Sequence, residues 1–367
     1  MSSTSRVGII GCGNISPAYA NTLGDFSWIE IAAFADGIPE RAEKFAEQYG
    51  GVPLELGDML ADDSIDAVVN LTPAHAHTSV SRLCLEAGKP VFSEKPLGTD
   101  FDEGLSLVQL AGQRGLRLGC APDTFLGAGL QAARSAIDRG LIGEPIAANG
   151  FMLGAGPEWW HPNPESFYVP GAGPLFDMGP YYLTALVHLL GPARSITGSA
   201  KVGIAERVVH SKGRVGDVVQ ATTPTHVSSM IDFVSGASAT LVTSFDVKAT
   251  RFKTIEVYGT EGTLALPDPN TFGGPLKVRS IIAEDWREIS LPVPNVPQQR
   301  GIGLADMLSA TIANRPHRAS AELALHVLEL MSSTLRSSDE GRRLDLTTTC
   351  ERPAPMRFNL PANSFDG

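Results

Sequence analysis

The stretch Arg6-Val7-Gly8-Ile9-Ile10-Gly11-Cys12-Gly13-Asn14-Ile15-Ser16 decides how this chain is read. Val7, Ile9 and Ile10 form a short apolar run of the kind that makes a parallel strand buried on both faces. The run passes straight into Gly11-x-Gly13-x-x-Ser16 and then into a helix-compatible segment, Pro17 to Leu23. Gly11 permits the tight turn off the strand, and Gly13 lets backbone approach a pyrophosphate. Ser16, standing where Gly or Ala is usual, is still small enough for close helix–strand contact. The exposed amides of the turn, Asn14 and Ile15 among them, and the positive end of the helix dipole favour phosphate. A second apolar run, Ile29 to Ala35, ends in Asp36, 23 residues beyond Gly13. That is where a carboxylate binds the ribose hydroxyls of a dinucleotide. Asp36 repels a 2′-phosphate, and Gly37 and Ile38 offer no cation to hold one, so NAD is expected over NADP. Arg41, a helical turn further on, is the nearest cation.

At 367 residues the chain has room for two domains, and its formal charge of −11, with no Lys/Arg cluster, excludes nucleic acid or an anionic membrane as partner. Cys12, Cys84, Cys120 and Cys350 are scattered without a C-x-x-C, which points to reduced thiols in a cytoplasmic protein. No secretory leader pattern and no run of membrane-spanning length are present.

Strand and helix patterns alternate over the first third of the chain. After Asp36 come a helix to Tyr49, a short helix over Leu56 to Leu60 and a strand over Ile65 to Leu71. A helix to Ala87, a strand over Pro90 to Ser93, a helix capped by Thr99 or Asp100 and a strand over Leu116 to Cys120 follow. This predicts a doubly wound parallel sheet of Rossmann type in a domain over 1–122. From 123 to 367 the pattern shifts. After a helix over Gly129 to Arg139, strands separated by turns dominate beyond Gly191, predicting an α+β domain with a large, mostly antiparallel sheet. Helices over Leu304 to Asn314 and Ala321 to Leu335 are expected to cover one of its faces. They seem too few for both, so a subunit interface is expected on the sheet. The stretch from Thr347 is expected to be a loosely held tail.

Ligands of open α/β sheets bind outside the carboxyl ends of the strands. Four features fall there: the Gly11–Ser16 turn, Asp36, Thr72-Pro73 and Glu94-Lys95-Pro96. The Lys95 ammonium could hydrogen-bond a substrate oxygen and stabilise a developing alkoxide, or Lys95 could be a surface lysine in a turn. Asp177 and Tyr181 are four apart, so helical backbone would set carboxylate and phenol side by side. Pro180 implies a helix that starts near Gly179 or bends there, and an Asp near a helix start is often only a cap. Trp159, Trp160, His161 and Phe167 lie in a proline-broken segment whose aromatic faces suit a sugar, although such a loop can equally be held by its own aromatics. Asp123, after the last strand, could reach the same cleft. His75 and His77 lack a third ligand nearby and mark a helix start, not a metal site.

In this combination and order the chain resembles the Gfo/Idh/MocA oxidoreductases, the family of glucose–fructose oxidoreductase and inositol 2-dehydrogenase. The similarity runs over about residues 5 to 335. It implies hydride transfer between a nicotinamide and a sugar or polyol, and a homodimer or homotetramer. It also implies that Thr72, Pro73, His77 and Glu94 serve the cofactor side. Lys95 becomes the catalytic lysine and Asp177 its acidic partner. Tyr181 stands where many members carry His, and a phenol titrates near 10 unless a cation such as Lys95 lowers it. The same fold hosts NAD-dependent glycoside hydrolases and could serve a non-catalytic sensor, the two alternatives.

Overall fold

A computed structural model describes residues 4–252, 254–290, 294, 296–358 and 360–365. Contacts divide the chain into two units. The first takes Met1–Ala128, Pro292–Leu325 and Pro353–Gly367; the second takes Gly129–Leu291 and His326–Arg352.

The first unit is built on β1 (Ser5–Ile10), α1 (Ser16–Gly24), β2 (Ile29–Ala35), α2 (Pro39–Tyr49), β3 (Val52–Pro53) and α3 (Leu56–Ala61). It continues with β4 (Ala67–Asn70), α4 (His77–Glu86), β5 (Val91–Ser93), α5 (Phe101–Arg114) and β6 (Leu118–Cys120). The six strands pair in the order β3-β2-β1-β4-β5-β6, all parallel. This is the doubly wound arrangement expected from the sequence, with β1 and β4 adjacent where the strand order reverses. Val7, Ile9, Val68, Val69, Val91 and Phe92 are fully buried, which explains strands that read as unbroken apolar runs. Asp100 caps α5, its carboxylate accepting the amide of Glu103.

The second unit holds α6 (Ala128–Asp138), β7 (Pro145–Leu153), α7 (Gly173–Leu190), β8 (Ala193–Lys201), β9 (Glu206–Val208), β10 (Val218–Gln220), β11 (His226–Phe233) and β12 (Ser238–Ser244). Then come β13 (Thr254–Gly259), β14 (Gly262–Ala265), β15 (Leu276–Ser280) and β16 (Arg287–Ile289). Nine strands form one sheet in the order β16-β15-β14-β13-β7-β12-β11-β8-β17, where β17 is Leu344–Asp345. Every pairing is antiparallel except β7 with β12. In β11, Val227, Ser229, Ile231 and Phe233 are buried while Met230 is 66% exposed, the period-two pattern of a strand with one covered face. The cover is α7, whose Tyr182 packs on Gly150 of β7. α7 is one helix from Gly173 through Pro180 to Leu190, so of the two alternatives a late start near Gly179 is not found. Proline removes the backbone bond to the Phe176 carbonyl, and near-complete burial of the helix outweighs that loss. Among the described residues, no helix is long and apolar enough to cross a membrane. Cys12, Cys84, Cys120 and Cys350 are all buried free thiols.

Residues near the C-terminus belong to the first compact unit. Two expectations change. The helix α8 (Ile302–Ile312) does not cover the antiparallel sheet; it packs against β6 and α1 of the first unit. Periodicity shows that α8 needs a cover but not which sheet supplies it. From His326 onward α9 (Ala321–Glu340) does back the antiparallel sheet, with Ser337 and Ser338 accepting the amides of Gly198 and Ala200 on β8. Nor is the tail loose. Thr347 and Thr348 donate to Glu329, and Phe365, 1% exposed, stacks on Phe26 at 5.9 Å.

The capture of α8 also relocates Asp123. Its Oδ2 accepts the amides of Gly301 (2.7 Å) and Gly303 (3.0 Å) at the start of that helix, and the residue is 1% exposed. Asp123 is a buried cap at the start of that helix, and burial pushes its pKa up to about 6.

Two outcomes follow. Phe365→Ala is expected to lower stability by about 3 kcal/mol in urea unfolding, as for a buried aromatic, whereas a loose tail would give almost no change. For Asp123 the native carboxyl holds its proton up to about pH 6, while the unfolded one releases it near 3.8. Its contribution is therefore fully present below 3.8 and lost as pH rises through 6. Asp123→Asn keeps an acceptor oxygen and cannot ionise, so its stability relative to wild type should be most favourable above pH 6 and decline towards pH 4. A pH-independent difference would contradict the buried-acid assignment.

Candidate functional site

The turn after β1 explains its own glycines. Gly11 has φ +96°, and a Cβ there would lie 2.7 Å from the Leu71 carbonyl carbon, so only glycine fits. The Ser16 hydroxyl, fully buried, donates to the Gly11 carbonyl at 2.6 Å, giving serine a use that Gly or Ala would lack. Gly13 differs from both. Its φ is outside the left-handed region and a Cβ there would meet nothing within 4 Å. Nothing inside the protein demands glycine at 13, and the space above it is open for a group that approaches the backbone. Asn14 is exposed beside it, and α1 begins after Ile15 with neither a side-chain cap nor an acidic residue in its first turn. The helix amides are left for an anion.

Asp36 stands beside this turn with both oxygens held. Oδ2 accepts the Cys12 amide at 2.7 Å and Oδ1 the Ile38 amide at 2.8 Å. The guanidinium of Arg41, more than half exposed, comes only to 4.0 Å. A dinucleotide fits these residues: open space at Gly13 for its phosphates and an anchored carboxylate for its ribose.

The ends of β4 and β5 lie alongside. Asn70 Oδ1 accepts the Thr72 hydroxyl (2.6 Å) and, more weakly, its amide, while Pro73 is exposed. His77 is buried, with Nδ1 2.7 Å from the Pro96 carbonyl and Nε2 2.7 Å from the Thr72 carbonyl. Burial pushes its pKa below the ordinary value. A neutral imidazole carries one N–H, so His77 donates to one of these carbonyls and lies against the other, between the two loops. Glu94, 8% exposed, accepts the Lys95 amide on Oε2 and the Tyr19 hydroxyl on Oε1. The Lys95–Pro96 peptide is cis, and Lys95 is half-buried. Tyr19 was missed from sequence because no motif spacing links residue 19 to residue 94.

In the second unit Asp177 and Tyr181 lie one turn apart on α7. Apart from Met178, Asp177 is the only position of this helix that is not buried, while Tyr181 is 5% exposed. Trp159 (48% exposed) stacks on His210 at 3.9 Å, with the Lys248 ammonium 5.6 Å from its ring. Trp160, 67% exposed, makes edge contacts with His161 and Phe167. The segment is not wholly non-core, since Glu158 and Tyr168 within it are buried. His210 and Lys248 were not singled out from sequence, their partner lying 40 or more residues away.

Comparison with known proteins agrees with this geometry. The family profile described as "Oxidoreductase family, NAD-binding Rossmann fold" (GFO_IDH_MocA) matches residues 5–121, and that of the GFO/IDH/MocA C-terminal domain matches residues 130–265. Inositol 2-dehydrogenase of Rhizobium meliloti is 28% identical over 264 residues, covering 71% of this chain and 75% of that protein. Two solved structures share the fold. An NAD binding oxidoreductase from Klebsiella pneumoniae has a TM-score of 0.80 at 23% identity, covering 95% of this chain and 100% of the other. Levoglucosan dehydrogenase in complex with NADH and L-sorbose has a TM-score of 0.80 at 19% identity, covering 94% and 100%. The two profiles together span well over half of the sequence, in the order and over the regions where turn, carboxylate and sheet were found, and the chain belongs to the Gfo/Idh/MocA family of NAD-binding oxidoreductases.

Proposed function

We propose that this oxidoreductase transfers hydride between NAD and a hydroxyl–carbonyl pair of a sugar or polyol, as a cytoplasmic homodimer or homotetramer. The observation that carries the reading is the anchored Asp36 beside the open space at Gly13. The name of the Rhizobium meliloti relative and the L-sorbose in the levoglucosan dehydrogenase complex support the substrate class. No observation favours the hydrolytic or sensing alternatives.

NAD, when bound, supplies the hydride acceptor. Gly11, Gly13, Asn14 and Ile15 would offer it backbone, Asp36 would hold its ribose, and Thr72, Pro73, His77, Glu94 and Lys95 would serve the same cofactor. Lys95 donates a hydrogen bond to the substrate oxygen and stabilises the negative charge that grows there. Tyr181, ionised to phenolate beside the Lys95 cation, accepts the hydroxyl proton and becomes the neutral phenol, and Asp177 holds Lys95 in place. Trp159, Trp160, His161 and Phe167 present aromatic faces to the sugar, whose C–H surfaces pack on them.

A screen of sugars, inositols and their glycosides for stoichiometric NADH release tests the reaction. Tyr181→Phe is expected to lower kcat about a hundredfold, the usual worth of general acid–base catalysis, with NAD affinity unchanged. Lys95→Ala should cost more. Near-normal turnover of Tyr181→Phe, with Lys95→Ala or His161→Ala inactive, would move the proton to Lys95 or His161. On the cofactor side, calorimetry should find NAD bound more tightly than NADP, and Asp36→Ser should raise NADP use. For assembly, the face of β11 bearing Met230 predicts an oligomeric mass at micromolar concentration, and a strictly monomeric mass would count against it.

A further inference from the structure

We propose that Tyr19 is a positioning residue that couples occupancy of the phosphate-binding turn to the conformation of Lys95. The proposal rests on the dinucleotide reading of the Gly11–Ser16 turn.

Tyr19 lies on α1, the helix whose first amides border the turn, and it is fully buried. Its hydroxyl donates to Glu94 Oε1 at 2.8 Å. The other oxygen of the same carboxylate accepts the Lys95 amide at 2.9 Å, and the Glu94 amide donates to the Asn70 carbonyl at 2.8 Å. One buried carboxylate thus has one oxygen on the phosphate helix and the other on the lysine. Such a carboxylate holds its donors firmly, because bonds to a charged acceptor are stronger than neutral ones and an unmatched buried oxygen is costly.

The surroundings leave this link little slack. The Tyr19 ring has no exposed surface along which to swing. On the outer side of α1, a Cβ placed at Gly301 would lie 3.5 Å from the Tyr19 Cα and 3.4 Å from the Thr22 Cβ, so backbone packs directly on the helix. On the far side of Lys95, the Pro96 carbonyl is fixed by His77. A small shift of α1 when an anion binds its amides would reach Glu94 through the Tyr19 hydroxyl, and the Lys95 backbone through the other oxygen of that carboxylate. The phenol has no direct part in proton transfer, since neither substrate nor cofactor reaches a side chain with no exposed surface.

ADP-ribose carries the phosphates and both riboses but no nicotinamide ring, and Tyr19→Phe separates the coupling from direct contact, because any contact of the second ribose with residues 92–97 would survive that substitution. In amide exchange measured by mass spectrometry, ADP-ribose should protect wild-type peptides covering both residues 11–23 and residues 92–97. In Tyr19→Phe the first protection should remain, with the ADP-ribose Kd within about twofold, and the second should vanish. Glu94→Gln should also lose the second, because an amide cannot accept from both Tyr19 and the Lys95 amide, and the double variant should be no worse than either single one. Where turnover is measurable, Tyr19→Phe should lower kcat about tenfold, the rate equivalent of one lost hydrogen bond, without raising the KM for NAD. Protection of residues 92–97 that survives Tyr19→Phe, or effects of the two substitutions that multiply, would overturn the coupling. Failure of the wild type to bind ADP-ribose would fell the dinucleotide reading and the coupling together. Binding that leaves residues 92–97 unprotected would fell the coupling alone.

Discussion

The close passage of Gly11 over the Leu71 backbone is the constraint on which the first unit depends. Two neighbouring parallel strands end there, and their loops must part without a side chain between them. The Leu71 amide donates to the Ile10 carbonyl and the Gly11 amide to the Ala35 carbonyl, each at 2.7 Å. The ends of β1, β2 and β4 are thereby locked to one another within two residues. Everything assigned to cofactor binding is carried on those ends or on β5 beside them, so the site inherits its rigidity from the ladder of the sheet. Loops held in this way can present exposed backbone without losing their shape, which an anion site of amides requires.

Buried and half-buried polar side chains complete the lock. Asp36 ties the turn after β1 to the start of α2, His77 ties the loop after β4 to that after β5, and Asp123 ties the end of β6 to α8. In all three, the side chain meets main-chain groups. Main chain is always available as a partner, so these bonds constrain backbone geometry more than they constrain partner residue types.

That preference sets what could be read in the sequence. The parallel, doubly wound character of the first sheet, the Gly11–Ser16 turn, Asp36 and the antiparallel character of the second unit follow from local patterns and were legible. Ser16 and Asp123 were legible as positions but not as roles, since a hydroxyl bonded to the Gly11 carbonyl and a carboxylate capping a helix some 180 residues later carry no signature of their own. The same holds for α8, whose apolar pattern is met equally well by either sheet, and for Phe365, one of two phenylalanines in a tail rich in Pro and Asn. Pro180 misled in another way. Its local cost argues for a break, and only the burial of α7 on both sides of it shows why the helix continues.

The aromatic segment before α7 shows the limit most plainly. Its irregular, proline-rich sequence suggests a surface loop, yet it is fastened by a charge cluster whose members come from four places in the chain. Arg207, 1% exposed, lies 2.7 Å from Asp246, 3.4 Å from Glu158 and within 3.1 Å of the Tyr168 hydroxyl, which itself donates to Glu158. Around the Tyr168 ring pack Val209, Val219, Ala221 and Phe245, so the cluster is sealed from water. A guanidinium buried there would be unfavourable alone, and two carboxylates with a phenol offset its desolvation. With Glu158 fixed, its carbonyl accepts the amides of His210 and Ser211, which brings His210 under Trp159. The exposed indoles are therefore a supported surface and not a frayed loop. Their order comes from an ion cluster whose Arg207 and Asp246 lie more than 35 residues away, and local sequence could disclose the aromatics but not what holds them.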